Sequence, residues 1–239
     1  TASLGFGTDS YISGAYITNV GQEIGQFYGW AYEGIARTQE DLDNHATQEG
    51  AQIGDCLYKD ISGPDGKPDG KVDANDQVVL GSGMPKIHFG LNARFEYKRF
   101  DLSIATFGAL NYHVSDDIYN SLNSCYGWGN KEVGMLDANR FSEDGSTYLS
   151  NVPRTYVTNS ASLGWNDLFS SRKIQNAAYW KIANVELGYN FPNEWFGKYV
   201  SDVRFYVSAQ NLHTFTGYHG YNVDYAGGTF TPGLNKVFL

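Results

Sequence analysis

The feature that most constrains this chain is the alternation between Lys86 and Lys98. Ile87, Phe89, Leu91, Ala93, Phe95 and Tyr97 are apolar, and Lys, His, Gly, Asn, Arg and Glu fill the positions between them. Successive strand residues point to opposite faces, so this stretch is a strand with one apolar face and one polar face. It is longer than the usual strand of about 5–6 residues. A strand that crosses a membrane at a tilt needs about 9–11 residues. The spacing therefore predicts a transmembrane barrel strand.

Other segments repeat the pattern. In 101–112, Leu102, Ile104 and Leu110 share a face with Thr106 and Gly108, and the opposite face mixes Ser103, Ala105, Phe107, Ala109 and Asn111. In 179–191, Ala183, Val185, Leu187, Tyr189 and Phe191 stand against Asn184, Glu186, Gly188 and Asn190. In 203–211, Val203, Phe205, Val207 and Ala209 stand against Arg204, Tyr206, Ser208 and Gln210. The tail 229–239 alternates less regularly, and 24–35 is a further strand candidate rich in Gly and aromatics. Tyr 18, Phe 14 and Gly 28 among 239 residues favour strands and turns over helices. The mean hydropathy of −0.40 does not oppose a barrel, because lipid-facing and lumen-facing residues average out.

Loop lengths add a direction. The connection Lys98-Arg99-Phe100-Asp101 is tight and 192–202 is moderate, whereas 36–85, 113–178 and 213–228 are long. If 86–98 runs down from the long-loop side, all long connections fall on one side and both short ones on the other. Outer-membrane barrels segregate their loops in this way. No apolar run of about 18 residues is present, which argues against a transmembrane helix. The first residues lack the basic and apolar regions of a signal peptide, so the chain reads as mature or as a fragment. The net charge of −9, without a basic stripe, argues against nucleic-acid binding.

The densest acidic cluster lies between Asp60 and Asp76 and resembles a calcium loop. With Asp65 at the first position, Asp69, Asp73 and Asp76 fall at the fifth, ninth and twelfth, and Gly70 falls at the sixth, where the loop turns. Lys67 occupies the third position, where an oxygen ligand belongs, and Asp60 and Ser62 are candidates to supply the missing oxygens. The candidate metal ligands are thus Asp65, Asp69, Asp73 and Asp76, with Asp60 and Ser62. The alternative is a turn-rich loop that uses Asp and Gly for its backbone geometry.

No His-Glu-x-x-His, Gly-x-Ser-x-Gly or P-loop pattern occurs, so no catalytic constellation is expected. Tyr119, Tyr126, Trp128, Phe141, Tyr148, Tyr156, Trp165 and Phe169 suit either carbohydrate stacking or packing of the long loop they occupy. Tyr97, Phe100, Tyr112, Tyr179, Trp180, Tyr189, Phe191, Trp195, Phe196 and Tyr199 crowd the strand ends, as interfacial girdles do. Cys56 and Cys125 read as unpaired or incidental, with pairing in an oxidising compartment as the alternative that sequence leaves open. Two readings remain open from the residues alone. One is a segment of a transmembrane barrel, and the other is a secreted, calcium-stabilised β-sandwich that binds glycans.

Several motifs resemble one family, in order along the chain. They are Val20-Gly21-Gln22-Glu23-Ile24-Gly25-Gln26-Phe27-Tyr28-Gly29-Trp30, then Gly54-Asp55 with Tyr58-Lys59-Asp60 and Asp73-Ala74-Asn75-Asp76. Ser171 to Tyr179, Leu187-Gly188-Tyr189-Asn190-Phe191-Pro192 and Tyr206 to Thr216 follow. Together they resemble the C-terminal part of SusC/RagA-type TonB-dependent outer-membrane transporters. The resemblance implies an all-β fold: the C-terminal strands of a large antiparallel transmembrane β-barrel, about 22 strands when complete, with long extracellular loops. Residues 1–239 would all be barrel, and the plug domain would lie outside this chain. The implied partners are a SusD-like surface lipoprotein, TonB, outer-membrane lipid and an oligosaccharide or peptide substrate. The implied location is the bacterial cell outer membrane, and the implied role is import rather than catalysis. A Ca2+ ion in 60–76 is the only cofactor expected.

Overall fold

A computed structural model describes residues 4, 8–115, 117–122, 133, 141, 150–154, 164–197, 200, 202–220, 223 and 236–238. The strands and helices run in the order β1 (Ser10–Ser13), β2 (Tyr16–Asn19), β3 (Gln26–Trp30), β4 (Tyr32–Ile35), α1 (Gln39–Asn44), β5 (Cys56–Tyr58), β6 (Gln77–Ser82) and β7 (Ile87–Tyr97). They continue with β8 (Phe100–Leu110), β9 (His113–Ser115), α2 (Asp117–Leu122), β10 (Ile174–Asn176), β11 (Tyr179–Asn190), β12 (Arg204–Thr216) and β13 (Lys236–Phe238). Among the described residues no helix is long and apolar enough to cross a membrane. The chain forms two compact units, Thr1–Gly83 with Ser115–Gln175, and Met84–Val114 with Asn176–Leu239.

The second unit is a five-stranded antiparallel sheet in the order β13-β12-β11-β8-β7. The strand predicted at 86–98 is β7, and its hairpin to β8 turns through Lys98, whose φ of 56° is left-handed. Tyr97 pairs with Phe100, so register is set at the turn and carried up to the Ile87–Leu110 pair. That register puts Leu91, Ala93 and Phe95 beside Thr106, Ile104 and Leu102. Ile104 and Leu102 in turn lie beside Val185 and Leu187, which lie beside Ala209 and Val207. One face is therefore apolar across four strands. The Thr106 hydroxyl, the polar group within that band on β8, donates to the Leu91 carbonyl at 3.2 Å.

Two of the expected patterns are corrected. The run 179–191 does not keep one phase: register shifts between Ile182 and Asn184, so Ala183 bulges out and Ile182 and Trp180 join Val185 on the apolar face. β12 extends past 211 to Thr216, through a bulge at which Asn211 is left-handed with φ 53°. There Asn184 faces Gln210 and Ile182 faces His213, so Phe215 arrives opposite Trp180 on the apolar side. Bulges of this kind re-aim side chains at barrel rims. The described part of the tail is short: Lys236, Val237 and Phe238 pair with Gln210, Ala209 and Ser208.

The polar face is covered at its loop end. Ala109 and Tyr179 are a register pair there, and Tyr112, Val114, Ala177, Tyr218 and Val223 form a small core on them.

The first unit contains a four-stranded sheet, β1-β2-β3-β6, and the β4–β5 pair. The single strand expected over 24–35 is two strands in different sheets, because the chain changes partner at Trp30 and Ala31. The Trp30 amide donates to the Phe169 carbonyl, and the Ala31 carbonyl accepts from the Lys59 amide. Gly29 permits this crossing, since a Cβ there would collide with the Phe169 carbonyl oxygen. The core of this unit is Cys56, Tyr58 and Val72, with Trp30, Tyr32, Trp165 and Leu168 against it.

Gly108 gives a direct test of the sheet. A Cβ there would meet the Tyr179 carbonyl oxygen and come within 2.5 Å of the Phe89 ring. The backbone contact cannot rotate away, so Gly108→Val is expected to destabilise the sheet by about 1–3 kcal/mol. Thermal unfolding in detergent measures this, and an unchanged midpoint contradicts the packing.

Candidate functional site: a two-faced sheet and a carboxylate-capped loop

The register draws aromatic side chains into two rows on the apolar face. At the short-turn end Tyr97, Phe100, Tyr189 and Phe205 lie in line across β7, β8, β11 and β12. Phe100 and Tyr189 have ring centroids 4.7 Å apart. At the loop end Phe89, Gly108, Trp180 and Phe215 are in line, and Trp180 stacks on Phe215 at 5.4 Å. Between the rows Leu91 is 61%, Phe95 60% and Leu187 50% exposed, and Phe205 in the short-turn row is 53% exposed.

The opposite face carries Arg94, Glu96, Asp101, Glu186 and Arg204 toward the short-turn end. Arg204 reaches across β11: its Nε donates to Asp101 Oδ1 at 3.1 Å, a second nitrogen pairs with Asp101 Oδ2, and it donates to Glu186 Oε1 at 2.7 Å. Gly188 makes room for this crossing, since a Cβ there would come within 2.5 Å of both the Arg204 guanidinium and Asp101 Oδ1. The guanidinium also lies 5.4 Å from the Tyr206 ring centroid. The motif Leu187-Gly188-Tyr189 pointed to a strand but not to this clamp. Strand spacing places Asp101, Gly188 and Arg204 on the polar face, and only the three-strand register brings them together.

In the loop unit each predicted ion ligand has a place, and most hold backbone. Asp76 is fully buried, with Oδ1 accepting from the Ile61 and Ser62 amides and Oδ2 from the Asp73 amide. Asp73 accepts from the Asn75 amide, and the two aspartates form a capping box around residues 74–76. Asp60 accepts from the Gly70 and Asp69 amides, and Asp69 from the Lys71 amide. Ser62 enters through its own amide, and Asp65 is exposed at the tip. Among the described residues no three His, Cys, Asp or Glu side chains are grouped as a metal site. As arranged, Asp60, Asp69, Asp73 and Asp76 turn carboxylate oxygens toward the loop's own amides, and Asp65 stands apart from them at the exposed tip.

A second knot was not visible in the sequence. Asp55 is fully buried and accepts from Arg154 at 2.5 and 2.9 Å, from Asn166 at 2.8 Å and from the Gln52 amide at 2.9 Å. Asn166 accepts from the Cys56 amide at 2.7 Å. Gly54-Asp55 stood out as a motif, but Arg154 and Asn166 are far along the chain and carry no local signal. Nearby, α1 is capped by Thr38, and amides from Arg37 and Thr38 hold the exposed Asp41 carboxyl below the usual carboxylate range. Of the loop aromatics, Phe141 is buried, Trp165 packs on Tyr58 and Phe169 on Phe27. Tyr126, Trp128, Tyr148, Tyr156 and Tyr199 lie outside the described residues, as does Cys125, and Cys56 is buried.

No family model matches the chain. It is 29% identical over 206 residues to TonB-dependent receptor P3 of Formosa agariphila, an alignment covering 85% of this chain and 19% of that receptor. It is 24% identical over 204 residues to TonB-dependent receptor SusC of Bacteroides thetaiotaomicron, covering 76% of this chain and 19% of SusC. The chain thus spans about a fifth of the length of these curated relatives. Its fold matches solved structures of the RagAB peptide transporter, with a TM-score of 0.72 at 22% identity over 95% of this chain and 23% of the matched one. The closed-closed state of the RagAB peptide importer gives 0.73 at 21% identity, over 98% of this chain and 24% of the other.

Two measurements check the loop. Asp55→Ala leaves the Arg154 guanidinium without its carboxylate and is expected to cost on the order of 3 kcal/mol. Faster hydrogen exchange at the Cys56 and Tyr58 amides reports it. A loop held by its own carboxylates keeps its unfolding midpoint in EDTA, whereas a drop that calcium reverses would assign an ion to 60–76. Sequence and fold comparisons agree that, over most of its length, this chain is SusC/RagA-like and resembles part of a TonB-dependent receptor.

Proposed function

We propose that this chain is the C-terminal part of the barrel of an outer-membrane importer, forming wall and outer loops. The observation that carries the reading is the pair of aromatic rows bounding an apolar band on one face of β7, β8, β11 and β12. At about 3.3 Å per residue the rows lie roughly 26 Å apart along β8. At a tilt of about 40° that is roughly 20 Å of height, near the roughly 25 Å apolar band that girdles flank in such barrels. Ile87, Phe89, Leu91, Phe95, Val185, Leu187, Phe205 and Val207 then face lipid, and the Arg204 face lines the lumen. A secreted β-sandwich would need a second sheet on the apolar face, and the exposure of Leu91, Phe95, Leu187 and Phe205 supports the barrel instead.

In this reading the complete barrel has about 22 strands and a plug supplied by another part of the protein. It imports glycan oligomers or peptides, draws energy through TonB, and works under a SusD-like lipoprotein. The names of the relatives support transport over catalysis. The free edge of β7 then pairs with a further barrel strand, since an open edge in lipid would leave backbone groups without partners.

The native protein is expected in the outer-membrane fraction, with a folded form in detergent that migrates faster on a gel until boiled. A protein recovered folded and monodisperse without detergent would sink this reading.

A further inference from the structure

On the polar face the register aligns Asn92 of β7, Ala105 of β8, Asn184 of β11 and Gln210 of β12 in one row. None of the three carboxamides has a side-chain partner among the described residues. The rows on the short-turn side differ, because their charges are already paired: Arg204 with Asp101 and Glu186, and Arg94 with Glu96 at 2.8 Å. On the loop side stands Phe107, 40% exposed, with Lys181 Nζ 5.8 Å from its ring centroid and Tyr179 edge-on at 6.1 Å. Beyond Phe107 the face is closed by the core on Ala109 and Tyr179. One level of this face therefore offers neutral donors and acceptors that the described residues of this chain do not use.

We infer that Asn92, Asn184 and Gln210, with the Phe107 ring above them, form a contact step for a neutral oligosaccharide moving along the inner wall. The inference rests on the proposed barrel, in which this face is the lumen. Each carboxamide both donates and accepts, as each sugar hydroxyl does. An exposed ring beside them suits the apolar face of a pyranose. On the short-turn side the guanidinium of Arg204 is held by Asp101 and Glu186, so the charged rows there are balanced and the carboxamide row is the neutral polar level. Two rows of a strand lie about 7 Å apart, close enough for one sugar unit to touch Phe107 while hydroxyls reach the amide row.

The test uses the full-length protein in its native outer membrane, with fluorescent neutral oligosaccharides and fluorescent peptides of matched size. The double variant Asn184→Leu/Gln210→Leu removes two of the row's three carboxamides. The isosteric pair Asn184→Asp/Gln210→Glu keeps its shape and removes amide donors, so it reports even if the leucine variant assembles badly. Outer-membrane abundance and heat-modifiability are measured alongside. Oligosaccharide uptake is expected to fall at least tenfold in both variants, with abundance unchanged. Wild-type uptake of peptides only, or uptake unchanged in both variants, overturns the inference and leaves the importer reading standing. Uptake retained together with leakage of large antibiotics assigns the row to contact with a plug and also overturns it. Wild-type uptake of neither cargo counts against the importer itself.

Discussion

Everything else in this chain depends on the backbone ladder that fixes register across β7, β8, β11 and β12. A ladder satisfies each strand's N–H and C=O groups with its neighbours, which is what allows a sheet to present an apolar face to a medium that cannot hydrogen-bond. It also decides which side chains share a height. The aromatic rows exist only because Phe100 faces Tyr189 and Tyr189 faces Phe205. The bulges at Ala183 and Asn211 matter for the same reason. Without the bulge at Ala183 the strict two-residue period would carry Trp180 to the polar face and break the loop-end row, and the extra β12 residue at Asn211 is what leaves Phe215 opposite it.

Glycines set where the sheet is tied across its width. Gly188 lets Arg204 span from β12 to Asp101 on β8, and Gly108 seats the Phe89 ring between strands. These are close approaches that any side chain would block, and both lie within the long strands. The loop unit relies on another device. Asp55 and Asp76 are buried and turn their oxygens toward amides and a guanidinium, holding segments with little apolar core of their own. Buried carboxylates are tolerated there because each has several donors.

The long strands were legible because period-two alternation is a local signal. β7, β8 and β11 appear within one or two residues of the spans their patterns give. What the pattern misplaced, the face of Ala183 and the end of β12, came from bulges. Those are set by pairing with a neighbouring strand and leave no local mark beyond an Asn at 211. The run 24–35 looked continuous because a change of partner strand does not interrupt alternation. The aspartates between 60 and 76 show a different limit. Calcium loops and self-capped turns draw on the same residues, Asp and Gly, and only the direction of each carboxylate separates them. The Arg204 clamp and the Asp55 knot join residues about a hundred positions apart, beyond any local pattern.

The central claim is that one face of this sheet meets lipid and the other meets water. Single cysteines at successive positions 184 to 187 of β11, placed in the full-length protein in its native outer membrane, test it most directly. A lipid-soluble maleimide should label positions 185 and 187, and a charged, membrane-impermeant one should label 184 and 186 once the membrane is opened. That alternation is the result the account predicts. Labelling of all four by the charged reagent alone, or of none by the lipid-soluble one, would contradict it.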